Sequence, residues 1–132
     1  MRLRSFKLRL ADVHVRVVPA TDAAGCPFAG PGVDLRGEAA MAAIELAAPL
    51  LAALAEVEPG IVVRSLAVDL ERPRVTASLE PTTHADRRPR VVRIDEGAIL
   101  RRLLDASAPI CDHLAQEAAG ALSRRAAGGT EG

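Results

Sequence analysis

The feature that most limits the possible folds of this chain is a pattern that occurs twice, sixty positions apart. The stretch LRSFKLRL covers Leu3–Leu10, and VRSLAVDL covers Val63–Leu70. Arg-Ser recurs at the same place, and the apolar residues of the two stretches fall in step. The same offset, without gaps, also pairs Gly37/Gly97, Ala48/Ala108, Pro49/Pro109, Leu54/Leu114 and Gly60/Gly120 as identical residues. We therefore predict an internal duplication of a ββα unit, with pseudo-repeats at 1–60 and 61–120.

Each half shows the same change of hydrophobic period. The first half alternates apolar and polar residues over 3–18, which is typical of a half-buried β-hairpin. A Gly- and Pro-rich loop follows, and a broad apolar helical stripe then covers 37–57. The second half alternates from 61 to 80, passes a polar loop and a candidate short strand VVRI, and ends in an apolar helix that Asp95 is placed to cap. Pro49 and Pro109 lie inside the two predicted helices, where a residue without an N–H group kinks or splits a helix.

These elements predict an α+β fold. A lone ββα unit cannot bury both its hairpin face and its helix stripe, whereas two units side by side can. We expect a two-layer sandwich, in which a four-stranded antiparallel sheet carries two Pro-kinked helices on one face. A single domain is expected over 1–126, followed by a disordered tail at 127–132.

The second face of this sheet is predicted to be polar and mixed in sign. An exposed sheet face binds RNA when aromatic side chains stack on the bases. No aromatic residue falls on this face, so RNA binding is not expected. A solvated face and a surface for a partner, including a second copy of the chain, both stay open. The predicted face comprises Ser5, Lys7, Arg9, His14 and Arg16 from the first half, and Ser65, Asp69, Arg74, Thr76, Ser78 and Glu80 from the second.

The charge balance and the cysteine content exclude several classes of protein. The 17 cationic and 17 acidic residues cancel, whereas a nucleic-acid binder normally has a basic excess. Charges interrupt the first ten residues, unlike a signal peptide, and the longest apolar run is too short to span a bilayer. Two cysteines do not make a disulfide framework in 132 residues. A cytoplasmic protein that binds neither nucleic acid nor membrane is expected, and the Arg- and Ala-rich composition suggests a bacterial source.

The residues able to ligate a metal are Cys26, His84, Cys111 and His113. None of the known zinc spacings occurs, and two residues two apart on a helix, such as Cys111 and His113, point in different directions. We therefore expect no metal and no cofactor. Cys26 lies in a loop where a nearby cation would make it a nucleophile, but an ordinary loop cysteine is the favoured interpretation.

Two further features are candidate ligand-binding sites. The loop at 84–90 holds Arg87, Arg88 and Arg90, a basic patch suited to a phosphate or an acidic partner, or simply to solvent. Glu45 lies among apolar residues of the first helix, where a partly buried carboxylate serves as a ligand anchor. A solvent-facing helix edge is the equally open alternative for Glu45.

The run IELAAPLLAALAEVEPGIVVRSLAVDLERP, Ile44–Pro73, resembles the second half of dihydroneopterin aldolase-type proteins of the tunnelling fold. In that family a helix carries a Glu that anchors the pterin, and a strand of alternating Val ends in Lys-Pro. The resemblance implies that Glu45 anchors a ligand and that Arg72 stands where the family has its catalytic Lys. Arginine does not act as a general base at neutral pH, so the resemblance implies ligand binding or a structural role rather than aldolase chemistry.

The sequence shows no nucleophile–base pair, paired carboxylates, phosphate loop or metal spacing. We therefore expect a small non-catalytic protein that self-associates as a homo-oligomer and binds a partner protein or a small ligand. The ligand-binding candidates are Glu45, Arg72, Arg87, Arg88 and Arg90. The alternatives are a pterin-type lyase or isomerase of the tunnelling fold, and recognition of a phosphate or acidic partner by the loop at 84–90.

Overall fold

The computed structural model describes residues 2–22, 24–81 and 90–128, which form six strands and four helices. The strands are β1 (Leu3–Arg9), β2 (His14–Pro19), β3 (Val33–Leu35), β4 (Ile61–Asp69), β5 (Arg74–Pro81) and β6 (Arg90–Ile94). The helices are α1 (Gly37–Leu46), α2 (Ala48–Val57), α3 (Gly97–Ala106) and α4 (Ala108–Gly128). The residues at 129–132, most of the predicted tail, lie outside the described part of the chain.

All six strands belong to one antiparallel sheet in the order β3-β2-β1-β4-β5-β6. The predicted α+β class with one antiparallel sheet is confirmed, but the predicted number of four strands is wrong. The short strands β3 and β6 extend the sheet at its two edges. Because β3 has only three residues and follows a Gly- and Pro-rich segment, it is too short to show a period of two.

The two hairpins have the same pairing register. In β1–β2 Leu8 pairs with Val15, and sixty positions later Val68 of β4 pairs with Val75 of β5. Each hairpin has one register shift, between Leu3 and Ser5 in the first and between Val63 and Ser65 in the second. The two hairpins are thus alike not only in their strands but also in the position of their irregularity.

The sheet is joined at its centre by β1 and β4, whose pairing is symmetric. Lys7 pairs with Ala67, its equivalent sixty positions later. On either side, the Leu10 N–H donates to the Arg64 carbonyl and the Leu70 N–H donates to the Arg4 carbonyl. Lys7 therefore lies at the middle of the sheet, at the point about which the two halves are arranged.

Each predicted Pro-kinked helix is in fact two helices. Ala47 separates α1 from α2, which are inclined at 49°, and Ser107 separates α3 from α4. Pro49 and Pro109 are the second residues of α2 and α4, where the N–H of an ordinary residue would have no intrahelical acceptor. The prolines therefore lie where they cost little stability, and the predicted split of each helical region beside its proline is confirmed.

The helices cover one face of the sheet and enclose a single core that is aliphatic except for Phe6 and the partly buried Phe28. They are arranged so that α1 contacts α4 and α2 contacts α3. The largest fully buried side chains come from both layers: Phe6, Leu8, Leu50, Leu54, Leu66, Leu79, Leu103, Ile110 and Leu114 among them. The residue before α3 is Glu96, in an extended conformation and without a side-chain capping hydrogen bond. The predicted capping role of Asp95 is therefore wrong.

Within the described ranges, no single helix is long and apolar enough to cross a membrane. Taken together, α1 and α2 have the length and hydropathy of a span, but they are bent at Ala47.

Candidate functional site

The face of the sheet away from the helices carries most of the polar strand residues. Successive strand residues point to opposite faces, so Lys7 and Arg9 project away from the buried Phe6 and Leu8. The pairing then sets Lys7 beside Arg16 and Asp69 beside Arg74. This surface, here called the open face, is formed by the residues that the sequence predicts for it.

A groove of about 320 Å³ crosses the centre of the open face. Its cationic side chains are Lys7, Arg16 and Arg74, which come from β1, β2 and β5. Val18 and Ala67 give it an apolar part. The groove therefore offers positive charge and apolar surface to the same ligand.

Two polar side chains of the groove, Asp69 and Arg74, differ in whether their polar atoms have hydrogen-bond partners. The Asp69 carboxylate accepts hydrogen bonds from the backbone N–H groups of Glu71 (3.0 Å) and Arg72 (3.1 Å), and thereby holds the β4–β5 turn. In contrast, the Arg74 Nε is buried and has no hydrogen-bond partner among the described residues. A buried donor without an acceptor costs about 1–3 kcal/mol, so the Arg74 side chain is held at some cost in stability.

A second hollow, of about 230 Å³, lies on the other side of Lys7. Arg9, Arg64, Ser65 and Asp12 line it. Its charges are largely paired, because Arg9 lies 3.4 Å from Asp12 and Arg64 lies 2.9 Å from Glu80. This hollow is therefore less attractive to an anion than the groove.

A third hollow, of about 120 Å³, is lined by four basic residues: Lys7, Arg9, His14 and Arg16. His14 is only 6 % exposed, although its strand position puts it on the open face. Its Nε2 lies 3.0 Å from Asp34 Oδ1, and the Arg16 Nε donates to the same oxygen at 3.0 Å. The hydrogen bond from Arg16, with the one from His14, outweighs partial burial and lowers the pKa of Asp34.

Of the residues predicted to bind a ligand, the three that the structure describes are not brought together in this region. Glu45 is exposed on α1 and lines none of the three cavities above. Arg72 is exposed in the β4–β5 turn, and Arg90 is exposed on β6 and forms an ion pair with Glu58 of the α2–β4 connection. Arg87 and Arg88 lie outside the described residues.

The three candidate metal ligands that the structure describes lie on two different elements. Cys26 is exposed in the loop between β2 and β3, whereas Cys111 and His113 are half-buried on α4, and His84 lies outside the described residues. Burial raises the pKa of the Cys111 thiol, whose Sγ lies 3.8 Å from the Ser107 hydroxyl. Over the described ranges, no three potential ligands are grouped as a metal would need.

The sequence predicts that the basic residues of the open face share one surface, but it does not predict that they form a ligand-binding site. Lys7, Arg9, His14, Arg16 and Arg74 meet only through the strand register, which the sequence does not state. One signal was available: cationic or titratable residues recur at every second position in 7–9 and in 14–16, and Lys7 is the only lysine of the chain.

Comparisons with known proteins do not place the chain in a family. No protein-family model, no curated protein and no solved structure matches it.

Proposed function

We propose that this protein is a non-catalytic binding protein that takes up a small ligand on its open face. The ligand carries an anionic group and an apolar part. The observation that carries the proposal is the central groove, in which the cationic Lys7 and Arg74 lie beside the apolar Val18 and Ala67.

The charges of the groove favour an anion. Lys7 has no ion-pair partner among the described residues, and Asp69 is engaged by the backbone of its own turn. Arg16 shares Asp34 with His14, so that one carboxylate faces two basic groups. Hydrogen bonds between a cationic donor and an anionic acceptor are about twice as strong as those between neutral groups.

The same groove offers little for catalysis. Its one carboxylate holds a turn, and its described lining contains no pair of a nucleophile and a general base. The pterin-type lyase or isomerase is a weaker alternative, because Glu45, its expected anchor, faces solvent on α1. These observations support binding rather than turnover.

Three probes that share a phenyl ring and differ in charge test the proposal. Nitrogen-15-labelled protein in phosphate-free, low-salt buffer is titrated with phenyl phosphate, benzoate and benzamide. We expect the two anions to shift amides of β1, β2, β4 and β5 around the groove in a saturable way, and benzamide to shift them at least about tenfold more weakly. Lys7→Ala should abolish the anion response, and Arg101→Ala, an exposed helix residue, should not. Equal responses to all three probes, or responses confined to the helices, would contradict the proposal.

We also infer that the two halves arose by duplication of one unit. The equal hairpin registers, the register shift at the same place and the single-residue helix breaks at Ala47 and Ser107 support this inference. Ala47 and Ser107 even have nearly the same backbone angles, with φ/ψ of −81°/−3° and −84°/−7°.

Self-association is a second candidate function, and β6 is the surface that favours it. In the described part of the chain no strand pairs with the outer edge of β6, and such an edge is a template for another strand. Val91 is 69 % exposed and Val62 is 53 % exposed, and the register puts both on the open face. Val91→Lys should then convert an oligomer to a monomer in light scattering, and an unchanged mass would contradict this edge as the contact.

A further inference from the structure

We infer that the hollow lined by Lys7, Arg9, His14 and Arg16 is a seat for a phosphoryl group, so that the ligand of the open face is an organic phosphate. The inference rests on the proposed function, because the hollow and the central groove share Lys7 and Arg16. A ligand that spans both would place its phosphoryl group in the hollow and its apolar part in the groove.

The four residues that line the hollow are all basic and lie on two neighbouring strands; Arg9 also forms an exposed ion pair with Asp12, which a bound anion would have to compete with. Arg9 pairs with His14, and Lys7 pairs with Arg16, so that the four residues form two adjacent cross-strand pairs on one face. Paired residues on adjacent strands lie about 4.5–5.5 Å apart at Cβ. Their donor groups therefore approach a small common volume of about 120 Å³.

Asp34 holds part of this hollow in place. Its Oδ1 accepts hydrogen bonds from both the Arg16 Nε and the His14 ring, which leaves the terminal guanidinium nitrogens of Arg16 for a ligand. His14 is nine-tenths buried, and a buried ring held at one nitrogen keeps a fixed orientation. Pre-organised donors of this kind lose less freedom when they bind an anion.

The number and arrangement of the donors favour a phosphoryl group over a carboxylate. A phosphate monoester presents three strong acceptor oxygens and a charge of about −1.5 to −2 at pH 7. A carboxylate presents two oxygens in one plane and a single charge. Lys7, Arg9 and Arg16 approach from different strand positions, so they match a tetrahedral group better than a planar one.

Substitution of two arginines distinguishes binding in the hollow from binding in the central groove. Arg9 lines the hollow and not the central groove, whereas Arg74 lines the central groove and not the hollow. We expect the wild-type protein to bind phenyl phosphate at least about tenfold more tightly than benzoate in the titration described above. Arg9→Ala should weaken phenyl phosphate alone and bring the two affinities together, and Arg9→Lys should restore part of the difference. Arg74→Ala, which changes the groove and not the hollow, should weaken benzoate and keep the preference for phenyl phosphate.

The outcomes distinguish this inference from the proposed function. Equal affinities for phenyl phosphate and benzoate, with shifts around the groove, would overturn the phosphoryl seat and leave the binding of anions intact. A preference for phenyl phosphate that survives Arg9→Ala would also overturn the seat. The absence of any response to either anion would overturn both. Because Arg9 is more than half exposed, the variants should fold, and their amide spectra show whether they do.

Discussion

The two halves of the molecule share the register of their hairpins and the break in their helices, but they have different open faces. At equivalent positions under the helices, both halves keep buried apolar residues: Phe6/Leu66, Leu8/Val68, Val15/Val75 and Val17/Ala77. At four pairs of equivalent positions on the open face, the residue changes its charge or its class, whereas Ser5/Ser65 is unchanged: Lys7/Ala67, Arg9/Asp69, His14/Arg74 and Arg16/Thr76. Packing of the core therefore explains the residues that the halves share. The proposed binding residues lie on the open face, where core packing does not restrict the residue type.

The equivalence of the halves ends at the third strand of each. Val15 pairs with Leu35 of β3. Val75, sixty positions later, pairs with Ile94 of β6 and not with residue 95, so the register of the third strand is shifted by one residue. Gly32 precedes β3, but its counterpart Val92 lies inside β6. The sheet edges thus differ where the centre of the sheet is symmetric.

The strongest test of the shared core uses two equivalent leucines. Leu54 of α2 and Leu114 of α4 are 1 % and 0 % exposed. Replacement of either by Ala should lower the free energy of unfolding by about 2–5 kcal/mol, since each change leaves a cavity in the core. Urea denaturation measures both losses. A loss below about 1 kcal/mol at one site only would show that the halves are not equivalently packed.

Substitution of Gly32, the residue before β3, tests the difference between the two edges of the sheet. Its φ is +108°, and an added Cβ would lie 2.6 Å from the Val17 carbonyl oxygen. Gly32→Ala should therefore destabilise the protein by about 1–3 kcal/mol. Gly30→Ala is the matched control, because its φ is also positive but its Cβ would meet only Phe28 at 3.9 Å. Equal losses at both sites would mean that the contact with Val17 contributes nothing.

Asp34 makes the first half more sensitive to acid than the second, where Arg93 pairs with Thr76 as Asp34 pairs with Arg16. The pKa of Asp34 is lowered from its ordinary 3.8 by Arg16 and His14. Its contribution is therefore complete above pH 3.8 and is lost as the pH falls further, through the lowered pKa of the folded state. Because the carboxylate is half exposed, the contribution is at most about 1 kcal/mol.

Asp34→Asn is the variant that measures this effect. Urea midpoints of the wild type and the variant should differ above pH 3.8 and converge at lower pH. A constant difference over the whole range would contradict the assigned role of the carboxylate charge.

The smallest effect is expected at the two prolines. Pro49 and Pro109 are each the second residue of a helix, so replacement by Ala removes no strain and restores no intrahelical hydrogen bond. Each change should alter the unfolding free energy by less than about 1 kcal/mol, in the same direction. Thermal unfolding checks both variants. Opposite signs would count against equivalent halves.

The sequence predicts the central four strands, the helical regions and the polar face, because their hydrophobic periods are long and regular. It does not predict β3, whose three residues are too few for a period, or the positions of the helix breaks before Pro49 and Pro109. His14 shows a further limit: alternation places it on the open face, but its burial depends on cover from neighbouring strands. Glu45 and Arg72 were candidates because both lie in one continuous stretch of the sequence. Lys7, Arg16 and Arg74 are distant in sequence and come together only in the sheet, so the sequence does not predict them as one site.

The most direct test of the account is a map of amide shifts in the labelled wild-type protein as phenyl phosphate is added. The account predicts saturable shifts on the open-face strands, centred on Lys7 and extending to Arg9 and Arg16, with the exposed residues of α1–α4 unaffected. Shifts centred on the helices, or no saturable shift at millimolar probe, would contradict the claim that the open face is the binding surface.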